Sequence, residues 1–404
     1  MVGSDGSLQR GLHHEEEDLP GFVYDRIRAG QELPAYVKME TPVTYFYSER
    51  PLEVGVKVSF PHGIFSQWYP EVRTFVPGIA SAGTVAAPAV PPGAADPFLD
   101  ARFPFVQASC RLHYGSALKN GDSISGFMPP VGLLDWGTID VLGRDEIANG
   151  PDAPLGRFTW GHARQVAANA LRTASGQTEA FLFYRGLGDF EPPVRATSAG
   201  GLSVALANTF GEAIGPVFVL HVGAKGGAFV VHSEGIAPGA TLSDAAPSLE
   251  AAPGLDDFVD LLGAAMTDAL DSTGLYHDES LAMVNTWKRQ WFRTPGVRVL
   301  YLAPQSWTDG SIPLTISPAP DQTRRTMMIR VEVLTVDIEQ ADVGAAKLLT
   351  SSDTAEAGRQ HFRDLGRFAE PRLRRSLALL GSPSYGDAFL SQIATANTVE
   401  SIGE

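Results

Sequence analysis

The sequence predicts an α+β fold, with an antiparallel β-sandwich-like N-terminal part followed by a mixed, helix-containing C-terminal part. Strict alternation from Leu52 to Phe60 sets Leu52, Val54, Val56, Val58 and Phe60 against Glu53, Gly55, Lys57 and Ser59, the pattern of a strand with one wet face. Short β-branched and aromatic runs, punctuated by Gly and Pro, continue to about residue 242. Beyond about residue 255 the apolar spacing becomes helical: Phe258, Leu261, Leu262, Ala265, Met266 and Ala269 share one face.

Composition narrows the class. At 404 residues the chain is long enough for two or three domains, and its 44% hydrophobic content belongs to a folded, soluble protein. A net charge of −15, with basic residues scattered, argues against nucleic acid and against anionic lipid as partners. The single cysteine, Cys110, excludes an intramolecular disulfide and reads as a small buried residue. No apolar run reaches the roughly 18 residues of a transmembrane helix, and Met1–Asp18 lacks the apolar centre of a signal peptide.

In chain order, residues 1–37 read as a flexible arm, with His13, His14 and Glu15–Glu17 as a solvated acidic stretch rather than a metal cluster. Residues 38–242 form the β-rich region. Val43–Tyr47 and Leu52–Phe60, separated by Glu49–Pro51, read as a hairpin. An Ala/Pro/Gly-rich loop covers 77–97. Strands are expected at Phe103–Val106, Arg111–Tyr114, Leu133–Leu142, Glu179–Arg185, Val194–Thr197, Leu202–Ala207, Val217–Val222 and Ala228–His232. Residues 254–382 form an α+β region. Its first helix ends near Gly274, and its second runs from Asp278 as N-cap to Phe292 with Leu281, Val284, Trp287 or Lys288, and Trp291 inward. Val297–Leu302 and Met327–Val336 read as strands around an irregular Pro304–Pro320 segment. Residues 340–380 read as helical, with Pro371 starting or breaking a helix, and 383–404 as a flexible tail.

Standard catalytic patterns fail on their context. Gly121-Asp122-Ser123 lacks the closing glycine of a nucleophile elbow, and Ser116-Ala117-Leu118-Lys119 lies between turn residues where a helical S-x-x-K is required. No phosphate-binding glycine loop and no H-E-x-x-H or C-x-x-C spacing occurs, so neither a cofactor nor a metal is expected. His221 and His232 flank a short turn and could meet across two strands with Glu234, but they read as surface residues.

Two sets of candidates remain. Trp68 and Tyr69 read as loop-borne aromatics able to stack on a glycan or a protein partner, against the plainer role of capping a core. Glu40, Arg185 and Glu279 are charged residues set among apolar ones; brought into one cleft, the two carboxylates would suit acid–base hydrolysis.

Three groups of residues also carry a resemblance. They are Met39–Ser48 (Met-Glu-Thr-Pro-Val-Thr-Tyr-Phe-Tyr-Ser) with Phe60-Pro61 and Trp68-Tyr69-Pro70; Phe181–Gly186; and Ala282-Met283-Val284 with Thr286-Trp287, Trp291-Phe292 and Pro313–Ile316. Together they resemble a group of uncharacterised bacterial proteins of myxobacterial and planctomycete type, over most of residues 38–335. The resemblance implies location in the cell envelope or export rather than the cytoplasm, and it supplies no catalytic residue. The expected function is therefore non-enzymatic binding of a protein or glycan partner, with a carboxylate hydrolase and a structural module of a larger assembly as alternatives.

Overall fold

The computed structural model describes residues 1–9, 11–12, 24–25, 34–35, 37–39, 42–61, 63–76, 132–148, 159–188, 191–363, 365, 368–390 and 392–393. Glu40, Cys110, the 77–97 loop, the expected strands at 103–114 and the His13–Glu17 stretch lie outside the described residues. The described residues form an α+β fold with a β-rich N-terminal part.

The chain first lays down β1 (Val37–Met39), β2 (Leu52–Phe60), β3 (Gly63–Tyr69), β4 (Gly132–Val141) and β5 (Leu182–Gly188). Alternation in β2 is realised as read: Val54, Val56, Val58 and Phe60 are buried, while Glu53 and Lys57 are exposed. Strand β2 pairs antiparallel with β4 on one side and with the later strand Leu314–Ser317 on the other. In a second sheet β5 lies between β3 and β1. The inner faces meet in one core, where Val56, Val58, Leu134 and Trp136 of the first sheet pack with Phe65, Trp68, Leu182 and Tyr184 of the second. Trp136 is the extra residue of a bulge opposite Val56 and Lys57, and its indole N–H donates to the Pro70 carbonyl at 3.0 Å.

The expected hairpin does not form. Val43–Thr44 pairs with β5, whereas β2 belongs to the other sheet. The Glu49–Pro51 turn therefore carries the chain between sheets. Proximity in sequence favours a hairpin, but here the buried faces of the two runs are claimed by different partners.

Further along come β6 (Val194–Thr197), β7 (Ser203–Asn208), β8 (Val217–Val222), β9 (Gly227–His232) and β10 (Thr241–Ala245). They are followed by α1 (Leu255–Asp271), α2 (His277–Arg293), β11 (Gly296–Ala303), β12 (Leu314–Ser317) and β13 (Met327–Val333). A central antiparallel sheet has the order β9-β8-β11-β13. One of its faces, with Val217, Val219, Val299 and Tyr301, packs on the sheet β6-β7-β10. The other, with Phe218, Leu220, Leu300 and Leu302, packs on α1 and α2. Burial on both faces explains why β8 and β11 read as continuous apolar runs.

Helix α2 begins at Tyr276, two residues before the expected cap, because the Glu279 carboxylate accepts from the Tyr276 backbone N–H at 2.7 Å and caps the first turn. Val284, Trp287 and Trp291 are buried as expected, but Leu281 is 41% exposed. His221 and His232 do not meet. His221 lies opposite Ala228 and contacts the Pro247 carbonyl, while His232 lies opposite Val217 and contacts Asp244. Among the described residues no cluster of three metal-ligating side chains occurs.

The end of the chain supplies α3 (Val336–Leu348), α4 (Ala355–Arg363) and α5 (Ala369–Leu379), with Pro371 in the first turn of α5. Asp342 ties the three helices together, accepting from His361 at 2.7 Å and from two nitrogens of Arg372 at 2.7 Å each. Residues Met1–Gln9, read as part of a flexible arm, are held against this region. Val2 pairs with the edge of β13, donating to the Glu332 carbonyl at 2.9 Å and accepting from Leu334 at 2.9 Å. Ser4 bonds both carboxylate oxygens of Glu339, which Arg375 also contacts. Here a covered sheet edge and a buried carboxylate outweigh the polar composition of the segment. Among the described residues no helix is long and apolar enough to cross a membrane.

Arg298 enters this core with no exposed surface. Its guanidinium donates to the Trp291 and Thr294 carbonyls at the end of α2, at 2.6 and 3.1 Å, and forms an ion pair with Glu332. Burial alone would raise the Glu332 carboxyl, but Arg298 and Arg330 pull it down to about 2. The folded value lies below the unfolded one. The resulting stability is therefore complete above about pH 4.5 and drains away as pH falls towards 2. Glu332→Gln should cost about 3–5 kcal/mol in urea unfolding at pH 7, because it leaves buried guanidinium charge uncompensated. The variant should also lose less stability than the parent between pH 4.5 and 2. An unchanged urea midpoint would contradict this account.

Candidate functional site

A cavity of about 960 Å3 lies between the β2–β4 sheet, helix α2 and the strands β12 and β13. Its apolar wall includes Met283, Trp287 and Trp291 of α2, Trp307 of the short helix Gln305–Ser311, Leu314 and Ile316 of β12, and Met327 of β13. Trp287 and Trp291, one helical turn apart, stack with centroids 5.8 Å apart and planes 12° from parallel. Leu52, Val54 and Tyr184 supply the wall from the β-rich part.

Polar groups gather in two places along this wall. At the first, the Tyr47 hydroxyl donates to Glu279 Oε1 at 2.9 Å while the Tyr276 N–H donates to Oε2. The rings of Tyr47 and Tyr276 meet edge to face at 4.8 Å, and both are exposed, at 39% and 60%. Burial, with Asp278 nearby, raises the Glu279 carboxyl, although hydrogen bonds from Tyr276 and Tyr47 offset part of the rise. Burial and the Glu279 charge in turn push the Tyr47 phenol upward, so it remains a hydrogen-bond donor at neutral pH.

At the second place, the buried Tyr184 side chain stands close to Thr44 and to Arg325. Burial raises the Tyr184 phenol, and the Arg325 charge opposes that rise. Arg325 is itself anchored by Asp309 at 2.8 Å and by the Ile312 carbonyl at 2.7 Å. The segment Thr44–Tyr47 lines the cavity and contributes to both places.

The residues singled out from sequence fare unequally. Glu279 lines the cavity; Arg185 does not share that wall. Side chains alternate along β5, so Tyr184 faces the cavity and the first core, whereas Phe183 and Arg185 point to the opposite face. There Arg185 is 1% exposed, with its guanidinium 5.8 Å from the Phe183 ring centre. Glu40 lies outside the described residues, and of the expected carboxylate pair the described residues include Glu279. Trp68 and Tyr69 stand in β3 rather than in a loop, at 0% and 1% exposure. Trp68 fills the first core, and Tyr69 packs with Phe181 and Phe183 on the other face. Burial of hydrophobic ring area outweighs any role at the surface, and neither ring is offered to a partner.

Sequence reading did not pick out Tyr47, Tyr276, Tyr184 or Arg325. A signal existed in the dense Tyr45-Phe46-Tyr47 run and in the Thr323-Arg324-Arg325-Thr326 stretch, but nothing local links the two. No protein-family model matches the chain, and neither does any curated protein or any solved structure.

Tyr47→Phe removes a hydrogen bond that lowers the Glu279 carboxyl. The Glu279 titration, followed by carboxyl-carbon NMR, should therefore move to higher pH in the variant. A shift to lower pH, or none, would show that the bond does not persist in solution.

Proposed function

We propose that this protein binds a small, predominantly apolar molecule inside the cavity beside α2. The observation that carries this reading is the cavity itself, about 960 Å3 in volume and walled by Trp287, Trp291, Trp307 and Met283. Ligand sites are concave, largely apolar, and furnished with a few fixed polar groups that orient the ligand, at roughly 300–1,000 Å3. Glu279 with Tyr47, and Arg325 with Tyr184, are such groups. Aromatic side chains give contact area at low entropic cost, and methionine adapts to irregular shapes. Binding here needs no exposed aromatic patch, which agrees with the burial of Trp68 and Tyr69.

A polarity-sensitive apolar dye should bind saturably at one site per chain, read by calorimetry. Met283→Trp places indole volume in the cavity and should weaken that binding by about tenfold or more, a loss of at least ~1.4 kcal/mol. Circular dichroism should remain unchanged. Absence of saturable binding by the parent protein, or undiminished binding by a folded Met283→Trp variant, would overturn the reading.

A further inference from the structure

We propose that the molecule taken up in the cavity is an apolar-chain carboxylate whose head group docks on Arg325 beside Tyr184. This inference rests on the cavity-binding reading and goes further by naming the class of ligand.

Charge balance is the first support. The chain has 46 acidic against 31 basic residues, yet among the described lining residues Arg50, Arg324, Arg325 and Arg330 stand against Glu279, Asp321 and Glu332. Glu332 is further answered by Arg298 behind the wall.

The second support is the geometry at Arg325. Its side chain is only 10% exposed, so its charge acts through a medium of low dielectric and not through bulk water. A guanidinium presents its donors in a planar fork that matches a carboxylate. Close to it stand the side chains of Tyr184 and Thr44, which line the same stretch of the cavity. Ile312, Leu314 and Met327 continue the wall from this point, so a head group at Arg325 would leave its chain on apolar surface.

Asp309 gives the third support. Its carboxylate already accepts from Arg325 Nη1 at 2.8 Å and is 48% exposed. Nη1 therefore already holds a carboxylate oxygen, while Nη2 donates to the Ile312 carbonyl. A ligand carboxylate would compete with Asp309 for the same donor.

Calorimetric titration with decanoate, decanol and decyltrimethylammonium, three probes of equal chain length, tests the assignment. Decanoate should bind about tenfold or more tightly than decanol, and decyltrimethylammonium most weakly. Arg325→Met should abolish the preference for decanoate and leave decanol binding in place. Asp309→Asn removes the competing carboxylate without emptying the fork, and should tighten decanoate several-fold while leaving decanol unchanged. That arm decides the matter if Arg325→Met does not fold. Equal binding of decanol and decanoate, or an Asp309→Asn variant that holds decanoate no tighter, sinks the carboxylate assignment and leaves the cavity reading intact. Failure of all three probes to bind sinks both.

Discussion

A buried ion pair governs the part of the molecule that carries the cavity. Arg298 has no exposed surface; Glu332 on the adjacent strand answers its charge, and the carbonyls of Trp291 and Thr294 accept from its two terminal nitrogens. One side chain thus joins β11, β13 and the C-terminal end of α2. Burying two charges is costly unless every polar atom finds a partner, so the pair contributes more to specificity than to net stability. It restricts the sheet register to Arg298 opposite Glu332, and it sets the end of α2 at one height over the sheet.

The position of α2 in turn decides the cavity. Its buried stripe packs on Phe218, Leu220 and Leu300, while Met283, Thr286 and Trp287 line the open space towards the β-rich part. Between the two parts, β12 leaves the C-terminal region to pair with β2 in the first sheet. That crossover connects the two cores by main-chain hydrogen bonds. The void is accordingly a product of topology, bridged by β12 and closed on other sides by Met1, Val2 and Leu8 of the N-terminal segment.

Placement of polar groups follows the same logic. Glu279 occupies the third position of α2, where it completes the helix cap, and it also receives the Tyr47 hydroxyl from a segment 232 residues earlier. Arg325 lies just before β13 and reaches Tyr184, which belongs to the first core. Each polar site is assembled from both parts of the chain. Neither could form in one part alone, and each has a structural role that a ligand would share.

Much of the fold was legible because its cause is local. The two-residue period of Leu52–Phe60 dictates which side chains are buried whatever the partner strand, and the spacing of Phe258, Leu262 and Met266 does the same for α1. The residue types of Trp68, Tyr69, Arg185 and Glu279 were visible too, but not the faces they occupy. A one-residue change of face separates Tyr184, in the cavity wall, from Arg185, on the far side of the same strand. The sequence by itself determined the α+β class, the buried face of β2 and most of that of α1, since these follow from side-chain chemistry and backbone period over a few residues. Tertiary structure alone decided that Val43–Thr44 and β2 part into different sheets, that β12 crosses back to β2, and that Tyr47 meets Glu279 while Arg325 meets Tyr184. Those contacts join residues more than a hundred positions apart, and which of many compatible faces meet is settled by packing the whole chain at once.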